Sequence, residues 1–162
     1  LWEPFSERGC GAYRLERNLY KSVLGDEVVF EEINHDLGLA FRYGWRGSAV
    51  FGFVRTAELS ETAAEPCSVE VLDGLQNLLP AGVTAAMQAG MSNLVDAYKR
   101  SELEPATGLG LFSLSSIMTD LAEPSEALRA TTVFALGLDG ARLLTSAQLE
   151  RFRRGEAPVP ET

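Results

Sequence analysis

Apolar and polar residues alternate most clearly over residues 37–45, where Leu37, Leu39, Phe41, Tyr43 and Trp45 are separated by Gly38, Ala40, Arg42 and Gly44. A period of two is that of a strand with one face buried. Residues 28–33 form a β-branched and aromatic stretch after the turn-like Gly25-Asp26, and Asn34-His35-Asp36 reads as a connection. Residues 27–45 therefore predict a β-hairpin. Further strands are predicted over 49–59, after Gly47-Ser48, and over 68–72, after Glu65-Pro66. The succession is that of an antiparallel meander.

The period changes over residues 83–98. Val83, Met87, Met91, Leu94 and Tyr98 recur at intervals of three and four, which places one apolar stripe on a helix of about four turns. Gly90 interrupts it, at about 1 kcal/mol relative to Ala. Pro80 and Gly82 precede this helix, and Pro105 stops the segment after it. Strand patterns return over 109–118 and 131–138, and the polar stretch 120–129, with Pro124, predicts a loop or short helical turn between them. Ser146 opens a short helix that runs through Arg153 and ends at Gly155. Residues 156–162 carry two prolines and no core pattern, and read as a linker or frayed end.

These elements predict a mainly β fold, an antiparallel β-sandwich with one central helix and a short C-terminal helix, as a single domain over residues 1–155. A doubly wound parallel fold needs strand and helix to alternate, whereas here several strands occur in succession. The net charge of -9 argues against nucleic acid and anionic membrane surfaces as partners. An oligosaccharide, being neutral, meets no such penalty. No apolar run approaches the roughly 20 residues of a bilayer-spanning helix, and no secretory signal opens the chain. A cytoplasmic location is the resulting expectation. The chain opens at Leu1 rather than Met and is expected to be a piece of a longer polypeptide. Cys10 and Cys67 lack the short spacings of zinc or redox sites. Two buried free thiols are expected, with a disulfide as the alternative in an exported protein.

His35 is the only histidine. No serine or cysteine stands in a nucleophile-elbow context to partner it, and Asp36 alone does not complete a metal site. A turn histidine bonded to local backbone is the expectation. Paired carboxylates are required for glycoside hydrolysis. Glu31 and Glu32 are adjacent on a strand and point to opposite faces, so they cannot share a substrate atom. Glu58, Asp73, Asp96 and Asp120 read as surface acids. Gly108-Leu109-Gly110 precedes a strand rather than a helix, which defeats a phosphate-loop reading. No catalytic residue, cofactor or metal is predicted. The candidate sugar contacts are Trp45, Tyr43 and Arg42, with His35 and Asp36, because sugars stack on aromatic rings and bond to polar groups at the edges. Trp45 also continues the inward series begun at Leu37, and core is the favoured reading. Trp2 is expected to pack against polypeptide outside the chain.

Several stretches carry a more specific signal: Val29-Phe30-Glu31-Glu32-Ile33-Asn34-His35-Asp36-Leu37-Gly38-Leu39, Phe51-Gly52-Phe53-Val54-Arg55-Thr56 and Leu72-Asp73-Gly74-Leu75-Gln76-Asn77-Leu78-Leu79-Pro80. Ala97-Tyr98-Lys99-Arg100 and Ala122-Glu123-Pro124-Ser125-Glu126-Ala127-Leu128 add to it. Together they resemble the N-terminal β-sandwich region of cellobiose-phosphorylase-like proteins. The resemblance implies a super-sandwich of the galactose-mutarotase type, which in such enzymes precedes an (α/α)6 barrel holding the catalytic groups. It therefore implies a non-catalytic domain whose partner is the catalytic domain of the same polypeptide. A full super-sandwich usually exceeds this length, so the fold is expected to be partial or reduced. An autonomous carbohydrate-binding module is the alternative. A small sugar epimerase ranks last, since the mutarotase chemistry resembles a two-histidine arrangement and His35 stands alone.

Overall fold

The computed structural model describes residues 1–9, 11–64, 66–118 and 127–159. It is mainly β, with two antiparallel sheets, and divides into two compact units, Leu1–Glu70 and Val71–Thr162. Each unit is described by itself.

The first unit is a four-stranded meander of β1 (Leu15–Lys21), β2 (Glu27–Asn34), β3 (Leu39–Ser48) and β4 (Gly52–Glu61), paired in sequence order. The alternation that predicts the 27–45 hairpin is realised as β2 and β3, with Phe30 opposite Tyr43 and Glu31 opposite Arg42. Opposed residues share a face. One face carries Arg17, Leu19, Phe30, Glu32, Phe41, Tyr43, Trp45 and Leu59, and the other carries Asn18, Tyr20, Val29, Glu31, Arg42, Gly44 and Glu58. The N-terminal segment lies on the first of these faces: Phe5 meets Tyr43 edge-on at 5.2 Å and Phe30 at 6.3 Å between ring centroids. Beneath it, Phe30 and Tyr43 stack at 4.9 Å.

The second unit holds α1 (Ala85–Gly90), α2 (Ser92–Tyr98), β5 (Lys99–Glu104), β6 (Leu109–Leu114), β7 (Ala130–Val133) and α3 (Ala147–Arg153). Its sheet is again a meander, β5-β6-β7. The core gathers Val83, Val95 and Leu114, with Leu79, Met87, Tyr98 and Met118 packed around them. The Thr131 hydroxyl ties β7 to the Leu79 carbonyl at 2.8 Å.

The two central hairpins close by one device. In the first, the Asn34 Oδ1 accepts the N–H of Asp36 and Leu37, and Gly38 takes φ 64. In the second, the Glu104 carboxylate accepts the N–H of Ala106 and Thr107, and Gly108 takes φ 70. A side-chain acceptor at the start and a left-handed glycine at the end fix a four-residue turn. Gly38 is doubly required, because a Cβ there would fall 2.5 Å from that of Ala63.

Several expected elements differ. β3 begins at Leu39, since Leu37 belongs to the turn and is exposed. The strand expected over 49–59 forms as β4, shifted to Gly52–Glu61. Residues 68–72 form no strand. The single helix over 83–98 is broken into two at Met91, whose φ of -136 leaves the helical region directly after Gly90. The break shifts the apolar stripe by one position, so Val95 is buried while Met91 and Leu94 are exposed. β6 stops at Leu114 and β7 at Val133, short of the expected 118 and 138. The loop expected at 120–129 falls largely outside the described residues. The expected C-terminal helix forms as α3. After it, Gln148 binds both the N–H and the carbonyl of Val159, so the start of the expected linker is tied down. Cys67 is an exposed free thiol rather than a buried one, because it lies in the irregular stretch after β4; Cys10 lies outside the described residues. No helix among the described residues is long and apolar enough to cross a membrane.

Candidate functional site

Strand alternation distributes the expected sugar contacts over both faces and both ends of the first sheet. Tyr43 and Trp45 share the face on which the N-terminal segment lies, and Arg42 lies on the other. Tyr43 is engaged by Phe5, Phe30 and Phe41, and the Arg55 guanidinium sits 5.1 Å from its ring centroid. It is a packing residue. Trp45 is half-buried and opposes Val28 and Arg55. At about 3.4 Å per residue, the six-residue run from Leu39 places Trp45 roughly 20 Å along β3 from the turn that holds His35 and Asp36. The five residues do not converge.

His35 and Asp36 are used locally. The His35 N–H bonds to the Arg14 carbonyl at 3.0 Å, and the Asp36 carboxylate accepts the Arg14 N–H at 2.6 Å. The imidazole Nε2 lies 3.4 Å from Glu16, with the two side chains 37% and 52% exposed, which is open surface rather than a closed cleft. His35 lies in the turn, but its imidazole faces the Glu16 carboxylate of β1 rather than local backbone.

The two adjacent glutamates part as strand geometry requires. Glu31 lies on the Arg42 face, where it accepts from the Tyr20 hydroxyl at 2.8 Å and from Asn18 at 3.0 Å. Those bonds, helped by Arg42 at 3.3 Å, hold its carboxyl below the usual glutamate range. The same bond to Glu31 raises the Tyr20 phenol. Arg42 also lies 5.6 Å from the Tyr20 ring centroid.

Glu32, on the opposite face, is fully buried. Its Oε1 accepts the Trp2 indole N–H at 2.7 Å, and its Oε2 accepts the Phe5 N–H at 2.9 Å and the Arg17 Nε–H at 2.6 Å. A charge removed from water needs compensation of this quality. Two of the three donors, Trp2 and Phe5, fasten the N-terminal segment to the sheet, and Arg17 of β1 supplies the third. Trp2 thus finds its partner 30 residues along the same chain. Phe5 holds a left-handed φ of 63, and its ring contacts offset that strain.

Beside this fastening is a cavity of about 370 Å3, lined by Trp2, Glu3, Ser6, Arg8, Tyr13 and Arg17 among others. Two of its cations are paired, Arg17 with Glu32 and Arg8 with Glu3 at 3.9 Å. A hollow of about 270 Å3 in the second unit has no ionisable side chain among the described residues that line it. Among the described residues, no group of three or more His, Cys, Asp or Glu side chains is placed to hold a metal ion.

Sequence reasoning missed Glu32 and this cavity. A hydrogen bond across 30 residues leaves no local pattern. The available signal was an acid at an inward position of a strand, on the face shared by Phe30. No family model matches the chain, and no curated protein matches it.

Proposed function

We propose that the chain is a non-catalytic, sandwich-type domain of a larger carbohydrate-active enzyme of the cellobiose-phosphorylase kind. Its role is to pack against and shape a catalytic domain carried elsewhere on the polypeptide. The observation that supports this reading is how the ionisable groups of the first unit are used. Among the described residues, the one fully buried carboxylate fastens the N-terminal segment, and Glu31, His35 and Asp36 bond to neighbours on the sheet or its turns. Shape is what these groups supply. The test is turnover of gluco-oligosaccharides by the 162-residue chain, with and without inorganic phosphate. None is expected, and turnover by the chain alone overturns the reading. The resemblance in sequence supports the carbohydrate class.

A further inference from the structure

The first sheet ends in two edge strands, and β4 is the longer, at 10 residues against 7 in β1. Its register to β3 runs without a bulge from Gly52 opposite Ser48 to Glu61 opposite Leu39, and it contains neither Lys nor Pro. Bulges, lysine and proline are the usual means by which a sheet edge is kept from pairing. β1 differs: it carries Arg17 and Lys21, and Arg17 holds the N-terminal segment at the Ser6 carbonyl. The chain leaving β4 turns to the β3 side, where the Thr62 N–H bonds to the Gly38 carbonyl and Ala63 packs against Gly38.

That bond lies one residue beyond the Glu61–Leu39 pair, so it fixes which backbone groups face outward. Hydrogen-bonded pairs alternate along an antiparallel ladder, and the even-numbered residues of β4 therefore turn toward β3. Phe53, Arg55, Ala57 and Leu59 turn their N–H and C=O groups away from the sheet. Phe53 is also 83% exposed, and the residue opposite it on β3 is Gly47, which offers no side chain to pack on.

A copy of the same strand, related by a twofold axis normal to the sheet, can meet these groups in only a few registers. Centring on Arg55 or Glu58 sets like charges directly opposite. Centring on Ala57 opposes Phe53 to Glu61 and places the two Glu58 carboxylates on a diagonal. Centring on Thr56 opposes Phe53 to Leu59 of the second copy, twice over. The Arg55 guanidinium, which falls on the diagonal in that register, is held 5.1 Å from the Tyr43 ring centroid, on the β3 side.

We propose that a second copy of this chain pairs with the outer edge of β4, antiparallel and centred on Thr56. The two sheets then become one, joined by about eight backbone hydrogen bonds. A joint of one strand pair is small, so the dimer is weak and reversible. The proposal goes beyond the shaping role and does not rest on it.

The test is sedimentation equilibrium of the full chain from about 1 to 500 μM, where a monomer–dimer equilibrium is expected. A chain that stays monomeric throughout overturns the proposal and leaves the edge to some other polypeptide. Growth beyond the dimer overturns it too, since a twofold joint closes. Ala57→Pro removes an N–H that faces away from β3, a place where an edge strand tolerates proline. Phe53→Lys sets a charge against Leu59 of the second copy. Each should weaken association about tenfold or more with the thermal melt unchanged, and an affinity unchanged in both overturns the proposal. If Ala57→Pro does not fold, Phe53→Lys decides alone. In Thr56→Cys the paired Cα atoms lie about 4.5 Å apart, within reach of a disulfide. Oxidation should therefore yield a dimer whose bridged peptide joins residue 56 to residue 56, and absence of that peptide overturns the register. Association and turnover are separate readouts, so the loss of this proposal leaves the shaping role standing.

Discussion

Removing the charge of Glu32 is the sharpest test of how the first unit is held together. In Glu32→Gln the side chain keeps its shape and one acceptor oxygen. Its amide nitrogen, however, presents N–H groups toward donors that previously faced an oxygen. Either orientation sets N–H against N–H at one of the sites now filled by Trp2, or by Phe5 and Arg17. A hydrogen bond to a charged group contributes about 1.5–3 kcal/mol, and an orphaned buried donor costs about 1–3 kcal/mol. Arg17 is 48% exposed and regains water, which removes part of the loss. The expected cost is therefore about 2–3 kcal/mol for Gln. For Ala, which deletes the acceptor altogether, it is about 3–5 kcal/mol. With a urea m-value of about 2 kcal/mol/M, the Gln variant should unfold about 1 M earlier. Both tryptophans lie in the first unit, so indole emission during urea unfolding reports this unit rather than the other. Midpoints within about 0.5 kcal/mol of the parent for both variants would refute the fastening, since that is the scale of an ordinary surface change.

Four further outcomes rest on the geometry of the two units. Phe5→Ala should cost about 2 kcal/mol, read from the same urea curves, because it removes a half-buried ring from three aromatic partners. Phe5→Gly should cost about 1 kcal/mol less than that, since glycine adopts the left-handed backbone freely, and equal losses would count against stored strain. Gly38→Ala should lower the melting temperature through the left-handed φ, at about 1–2 kcal/mol, and through displacement of Ala63; an unchanged melt would contradict the turn geometry. Acid should destabilise the fold. The Tyr20 hydroxyl and Asn18 lower the Glu31 carboxyl, Lys99 and Gln88 lower Asp96, and Thr107 with two turn amides lowers Glu104. Each group binds its proton more readily when unfolded, so its contribution is full above the ordinary carboxylate range and lost as pH falls through the lowered native values. A melting temperature that stays flat or rises from pH 6 to pH 3 would contradict this; Asp96 is exposed and Glu31 and Glu104 are only partly buried, so a small slope is expected.

The central hairpin was legible because its register is written in alternation: Phe41, Tyr43 and Trp45 share one face as the pattern requires. β1 was not, since its positions on that face include the exposed Arg17, which is held there by Glu32. β5 was hidden for a related reason: Lys99-Arg100-Ser101-Glu102-Leu103-Glu104 offers one apolar side chain and forms a polar sheet edge. The helix over 83–98 was legible in kind but not in phase, because Gly90 and Met91 reset the stripe and exchange Leu94 for Val95. The site was the least legible part. Tyr43 and Arg42 are neighbours in sequence, and that proximity is what sends them to opposite faces.

The local closure of the hairpins bears on the order in which the chain folds. Every strand pairs with its neighbour in sequence, and both central turns are pinned by a side chain within the turn itself. Short-range closures of this kind are the fast ones, since little loop entropy is lost before contacts form. The N-terminal segment cannot join them early. Its seat spans Phe30, Glu32, Phe41 and Tyr43, which come together only after β2 and β3 have paired. Trp2 and Phe5 therefore have no seat to dock on until the hairpin behind them is made.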